Sequence, residues 1–270
     1  MNRLARVDLQ RLGPWALVTG ASDGIGLAFA RELAAQGMNL LLVARRADVL
    51  KTEAAELTRL HRVDCRVLAV DLSQPEAVNR VVAESERFDV GLLVAAAGFG
   101  TSGPFTAADI DEERALLAVN CDAVMTLCWH FARRLSQRGR GGLVLMSSLL
   151  AFHGVPRSAH YAASKAYVQS LAEGLRAELA PQGVDVIAVA PGPTHTGFAT
   201  RARMNMPRAE RPEVVARQAL RALGHQTTVR PGALSKLLGW SLAMLPRWAQ
   251  VKLIGQVMQG MTSHQESPAA

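Results

Sequence analysis

This chain has little from which to build a metal centre or a disulfide framework. Its three cysteines, Cys65, Cys121 and Cys128, include no C-x-x-C pair, which argues against a zinc site and fits a reducing compartment. Aromatic residues make up 5% of the chain. Without aromatics interleaved with basic side chains there is no base-stacking platform for nucleic acid. The net charge of +7 is carried almost entirely by arginine, scattered along the sequence rather than gathered in a stripe. It reads as solvated surface, with a remainder available to anionic ligands. No stretch of about 18 uncharged apolar residues suggests a membrane-spanning helix. The first residues, "MNRLARVDLQRLGPW", carry charges throughout and lack the apolar core of a signal peptide. A cytoplasmic protein is expected.

What is present is a chain of 270 residues, 49% hydrophobic, enough for one substantial α/β core. Short apolar runs alternate with helical patterns. "WALVTG", "MNLLLVARR", "CRVLAVDL", "VGLLVAAAG", "GGLVLMSS" and "VDVIAVAPG" read as six strands. Between them lie segments with apolar residues at helical spacing, the longest covering residues 111–137 and 159–180. "SQPEAVNRVVAESE" opens with a serine that suits an N-cap and a proline in the first turn. Strands that are continuously apolar are buried on both faces, so the pattern predicts a parallel sheet covered by helices on both sides. This is a doubly wound sheet, the Rossmann type of α/β fold. One such domain is expected over residues 1–230, followed by a helical extension over 231–262, broken at Pro246, and a disordered tail over 263–270.

"TGASDGIG" stands where the first strand meets the first helix. Its glycines at Gly20, Gly24 and Gly26 allow a sharp turn and a close approach of backbone to a diphosphate. Ser22, Asp23 and Ile25 complete the loop, and the helix start offers free N–H groups to an anion. An NAD site of this kind carries an acid at the end of the second strand. Here Ala44 stands there, followed by Arg45 and Arg46, a pair suited to a 2′-phosphate. NADP(H) is therefore preferred, with NAD(H) as the alternative, since two solvated arginines would look the same. Asp23 pulls against the phosphate reading. Asp71 and Leu72 end the third strand; Asp71 could reach the adenine edge or cap the next helix.

The chain has two tyrosines and four lysines, yet Tyr161 and Lys165 fall four residues apart. On a helix they share a face. An ammonium beside the phenol should favour the phenolate and lower the tyrosine pKa toward working pH. Ser148 lies at the mouth of the fifth strand, where ligands of parallel sheets bind. Tyr167 points elsewhere and reads as structural. His153, His160 and His195 fall near the site in sequence and read as loop or packing residues.

The glycine loop, Asn120, Ser148, Tyr161, Lys165 and "PGPTHT" occur in order and with matching spacing, so residues 15–223 resemble the short-chain dehydrogenase/reductase family. The resemblance implies an oxidoreductase acting on CH–OH groups. Tyr161 would be the acid/base, Lys165 would bond the nicotinamide ribose and tune Tyr161, and Ser148 would orient the substrate oxygen. Asn120 would hold a water in a proton relay. Pro191 and Gly192 would pass near the nicotinamide, with Thr194 and Thr196 near its carboxamide and the phosphates. Where the family often has "NNAG", this chain has "AAAG". Gly98 keeps the close approach to the cofactor, with Ala97 beside it among the cofactor-binding residues, while the missing asparagines remove side-chain bonds that steady the sheet.

The family's substrate pocket is formed by loops that here contain Phe99, Leu149, Phe152, Phe198 and Met204. They suggest an apolar pocket and a lipophilic ketone or alcohol, ketoacyl or steroid-like. The C-terminal apolar segment is expected to act as a lid or subunit contact, or else to lie on a membrane surface through Trp240 and Trp248. A homodimer or homotetramer is expected, with no nucleic acid and no metal. The rival readings are an NAD-dependent alcohol dehydrogenase and a protein that senses NADP(H) without turnover.

Overall fold

The fold is that of a computed structural model, described for residues 12–206, 209–233, 235–236 and 244–265. Seven parallel strands form one sheet in the order β3-β2-β1-β4-β5-β6-β7. They are β1 Trp15–Thr19, β2 Asn39–Ala44, β3 Cys65–Ala69, β4 Val90–Ala95, β5 Gly141–Met146, β6 Val184–Val189 and β7 Thr228–Val229. The six expected strands are all present; β7, only two residues long, is an addition to them. Strands β4 and β5 are buried at every position, as strands covered on both faces must be.

Helices α1 (Gly24–Ala34), α2 (Ala47–His61) and α8 (Pro212–Ala222) contribute to the core on one face of the sheet. Helices α3 (Ala77–Ser85), α4 (Ile110–Leu117), α5 (Ala123–Arg138) and α6 (Ala159–Leu179) pack on the other. The expected serine cap of α3 is absent. Ser73 instead donates its N–H (3.0 Å) and hydroxyl (2.9 Å) to Asp71 Oδ1, and the helix starts four residues later. Residues 110–138 are long and apolar enough to cross a membrane by length and composition. Here Leu116, Leu127, Phe131 and Leu135 of that stretch are buried in the core.

Between α4 and α5 the helix widens into a π-turn over Ala118–Asp122, which contains Asn120. Such a turn bulges the backbone and is frequent at functional sites. The strand order reverses between β1 and β4, so their carboxyl ends open a crevice.

A short helix α7 (Phe198–Arg201) follows β6. The C-terminal helix Arg247–Thr262 begins directly after Pro246 and packs on Val155, Ala162, Ala202 and Met204. The part of the extension that precedes it, with Trp240, lies largely outside the described residues. Ser263–Gln265, expected in a disordered tail, form a 3₁₀ turn. Gln265 Nε2 there donates to Ser102 Oγ (2.9 Å) and Arg203 O (2.6 Å). Residues 266–270 lie outside the described residues.

Candidate active site

The crevice divides into two connected cavities. The first, of about 450 Å³, runs along the glycine loop past Arg45, Arg46, Asp71 and Leu72 to Ala97, Gly98 and Phe99. The second, of about 250 Å³, is bounded by Ser148, Tyr161 and Lys165 on one side and by the C-terminal helix on the other. Both include Ile25, Ala96, Gly98, Thr196 and Phe198 in their walls.

The first cavity is lined by groups suited to a dinucleotide's phosphates, the glycine loop at one end and Arg45 and Arg46 at the other. Gly24 has φ +54, and a Cβ on it would lie 2.6 Å from Thr196 Cγ2. A Cβ on Gly26 would lie 2.3 Å from the Gly20 carbonyl oxygen. Glycine at these positions lets the loop fold tightly and leaves the N-terminus of α1 facing the cavity. At its outer end, Arg46 donates to Ser22 O (3.0 Å) and Ser22 Oγ (3.2 Å), while Arg45 stands 4.0 Å from Asp71. Asp71 is thus held by Ser73 and faces Arg45. Asp23 points away from this end. Its Oδ2 accepts from Gly197 N at 3.0 Å, tying the glycine loop to the segment after β6.

In the wall of the second cavity, Ser148, Tyr161 and Lys165 are all buried. Lys165 Nζ donates to Met146 O at 2.9 Å and lies 5.8 Å from the Tyr161 ring centroid. Burial lowers the Lys165 pKa from 10.5 to about 8. Burial also raises Tyr161, to about 12, against the opposing pull of its hydrogen bond with Ser148. This corrects the expectation of a phenol lowered by Lys165. The ammonium is directed at the Met146 carbonyl, and desolvation of the phenolate outweighs it.

Asn120 is fully buried, and its amide braces the loop after β4. Oδ1 accepts from Phe99 N (3.1 Å); Nδ2 donates to Phe99 O (2.9 Å) and to Ser164 Oγ (3.1 Å). The Ala95–Gly98 stretch is steadied further by Thr19 Oγ1, which accepts from Ala97 N at 3.0 Å. Pro191, Gly192, Thr194 and Thr196 all line the second cavity. Thr194 Oγ1 donates to Gly192 O (3.0 Å), and Gly192 N donates to Ser235 Oγ (3.0 Å).

The wall of the second cavity is mainly apolar. Leu149, Phe198 and Met204 line it as expected, but Phe99 and Phe152 do not. Phe99 lies in the first cavity, beneath the guanidinium of Arg201 at 4.1 Å. Phe152 instead carries Arg230 over its ring at 4.5 Å. The part of the wall that sequence reasoning misses is Leu253, Ile254, Val257, Met258 and Met261 from the C-terminal helix, with Met206. Their helical spacing is visible in the sequence; the surface they cover is not. His153 Nδ1 lies 2.6 Å from Gln250 Oε1, linking the loop after Ser148 to this helix. His160 pairs with the buried Glu113, and His195 is exposed.

Comparison with known proteins agrees with this geometry. The profile described as short chain dehydrogenase matches residues 14–207. The chain belongs to this family. It is therefore an NAD(P)-dependent oxidoreductase. The 7beta-hydroxysteroid dehydrogenase of Clostridium sardiniense is 31% identical over 231 residues, covering 84% of this chain and 88% of the relative. The very-long-chain 3-oxoacyl-CoA reductase of Anas platyrhynchos is 29% identical over 248 residues, covering 90% and 79%. A solved short-chain dehydrogenase from Sphingobium yanoikuyae in complex with NADPH is 29% identical, with a TM-score of 0.76 over 95% of this chain and 98% of that one.

Proposed function

We propose that this short-chain dehydrogenase uses NADP(H) to reduce a bulky apolar ketone, or to oxidise the matching secondary alcohol. The observation that carries the reading is that Ser148, Tyr161 and Lys165 line an apolar cavity whose wall shares Ile25, Ala96, Gly98, Thr196 and Phe198 with the cleft along the glycine loop. When bound, the dinucleotide supplies or accepts the hydride. Ser148 and Tyr161 direct their hydroxyls at the substrate oxygen. In reduction, the carbonyl carbon gains hydride while its oxygen takes the phenolic proton. A phenol held at about 12 remains protonated through the neutral range and is ready to donate. Lys165, close to the phenol and cationic at neutral pH, stabilises the phenolate left behind.

NADP(H) preference is supported by Ala44 where an acid would bind a ribose hydroxyl, and by two guanidinium groups lining the same end of the cleft, Arg46 beside Ser22 and Arg45 facing Asp71. The substrate class is supported by a cavity walled with leucine, isoleucine and methionine, whose only ionisable groups among the described residues are Tyr161 and Lys165. Steroid and 3-oxoacyl compounds, the substrates named for two relatives, both satisfy that wall. A second copy of the chain is the partner favoured by Leu117, Met125, Trp129 and Tyr167, exposed on α4, α5 and α6. Incubation with NADPH and a panel of bulky ketones tests the reading. NADPH consumption that depends on Tyr161 supports it; consumption of NADH alone contradicts the cofactor preference.

A further inference from the structure

Five charged side chains line the cofactor cleft among the described residues: Asp23, Arg45, Arg46, Asp71 and Arg201. Four have partners already. Arg45 faces Asp71, Arg46 holds Ser22, and Asp23 accepts from Gly197. Arg201 has no hydrogen bond or ion pair from its guanidinium to any described residue. It rests instead over the Phe99 ring at 4.1 Å. A cation over an aromatic face at an exposed site is held only weakly.

The position of Arg201 is fixed by the segment that carries it. Arg201 ends α7, and its N–H donates to Gly197 O at 3.1 Å. Gly197 N donates to Asp23, and Thr196 lies against Gly24. The segment is therefore laid across the start of α1, where a dinucleotide's diphosphate belongs. The glycine loop offers that diphosphate N–H groups and a dipole but brings the Asp23 carboxylate with it. Arg45 and Arg46 are engaged at the adenosine end.

We propose that Arg201 is the diphosphate-binding cation of this cleft, leaving Phe99 to pair with the phosphoryl oxygens and to offset Asp23. The proposal rests on the NAD(P)-binding assignment of the cleft and adds a cofactor-binding residue from the segment after β6. A guanidinium meeting two phosphoryl oxygens makes a charge-assisted, bidentate contact stronger than the one it leaves. Holding the diphosphate would also hold the 196–201 segment over the cleft, next to Phe198 and the substrate cavity. Its recognition is indifferent to the 2′-phosphate, which separates it from Arg45 and Arg46.

The test is a binding titration of the full chain with NADPH, NADH, ADP-ribose and adenosine 2′-phosphate. Arg201→Ala should weaken the first three alike, by about tenfold, and leave adenosine 2′-phosphate unchanged. Arg201→Lys should recover part of the loss, because it restores the charge without the planar fork. Arg46→Ala should show the opposite pattern, weakening NADPH and adenosine 2′-phosphate but not ADP-ribose. An Arg201→Ala protein with unchanged circular dichroism that binds ADP-ribose as the parent does would overturn the proposal. A loss confined to NADPH would also overturn it, by returning Arg201 to the 2′-phosphate group. If the parent protein bound none of the four ligands, the cofactor assignment itself would fall and the proposal with it.

Discussion

Lys165 and Tyr161 lie on successive turns of α6, yet Lys165 donates its hydrogen bond to Met146 O and not to the phenol. Both groups are buried, and burial moves their pKa values in opposite directions, Lys165 down to about 8 and Tyr161 up to about 12. The site thereby keeps a protonated phenol beside an ammonium that burial weakens.

Removing the phenolic hydroxyl isolates its role. Tyr161→Phe should lower kcat by about a hundredfold to ten-thousandfold. Its affinity for NADPH should stay close to that of the parent, because Tyr161 borders the second cavity and not the first. Steady-state rates and a binding titration on the same preparation would check this. A variant that kept most of its activity would remove Tyr161 from the mechanism.

Lys165 should make the protein less stable than a neutral residue in its place. Its folded pKa, about 8, lies below the ordinary 10.5. Between those values the unfolded chain binds more protons at this site, so stability rises with pH across that window. Tyr161 runs the other way. Its folded value of about 12 exceeds 10.0, so its contribution falls as pH rises above 10. Lys165→Met should therefore raise stability at pH 7 by about 2 kcal/mol after the lost bond to Met146 O is counted. The same change should abolish turnover. Denaturant melts of both proteins at pH 7 and pH 9.5 should show the gain shrinking at the higher pH; a gain that grew with pH would contradict the assignment.

Replacing Arg45 and Arg46 together by alanine should weaken NADPH by about tenfold or more and NADH by less than about twofold. Fluorescence titration with each cofactor distinguishes the outcomes. Equal losses would mean that the two arginines do not read the 2′-phosphate.

The C-terminal helix should set the upper size of substrate. Met258 is 2% exposed and faces the cavity. Met258→Trp should cut kcat/KM for a bulky ketone by about tenfold while sparing a small one. A uniform loss across substrate sizes would indicate a general disturbance of the helix in place of a filled cavity.

The alternation of apolar runs and helical patterns makes the sheet readable, because strands covered on both faces need continuous apolar residues. β7 escapes because Thr228–Val229 is too short to carry a pattern. The glycine loop and the Tyr161–Lys165 spacing are readable because each is local. The substrate cavity is only half readable. Met258 and Ser148 share a wall across more than a hundred residues of chain, a pairing that helical spacing in either segment does not encode. Phe152 defeats a reading from sequence because its partner, Arg230, comes from beyond β7. The phenol's pKa defeats it too, because spacing reveals a neighbouring charge but not the depth of burial that outweighs it. Arg201 is silent in the sequence because a lone arginine in a loop resembles any solvated one until its segment is seen lying over the glycine loop.

The most direct measurement is the loss of NADPH absorbance when the protein meets a bulky apolar ketone, run beside NADH and beside Tyr161→Phe. The parent protein should consume NADPH and turn over NADH at a much slower rate, and the variant should consume almost none. NADPH consumption that persists in Tyr161→Phe, or turnover supported only by NADH, would contradict the proposed function.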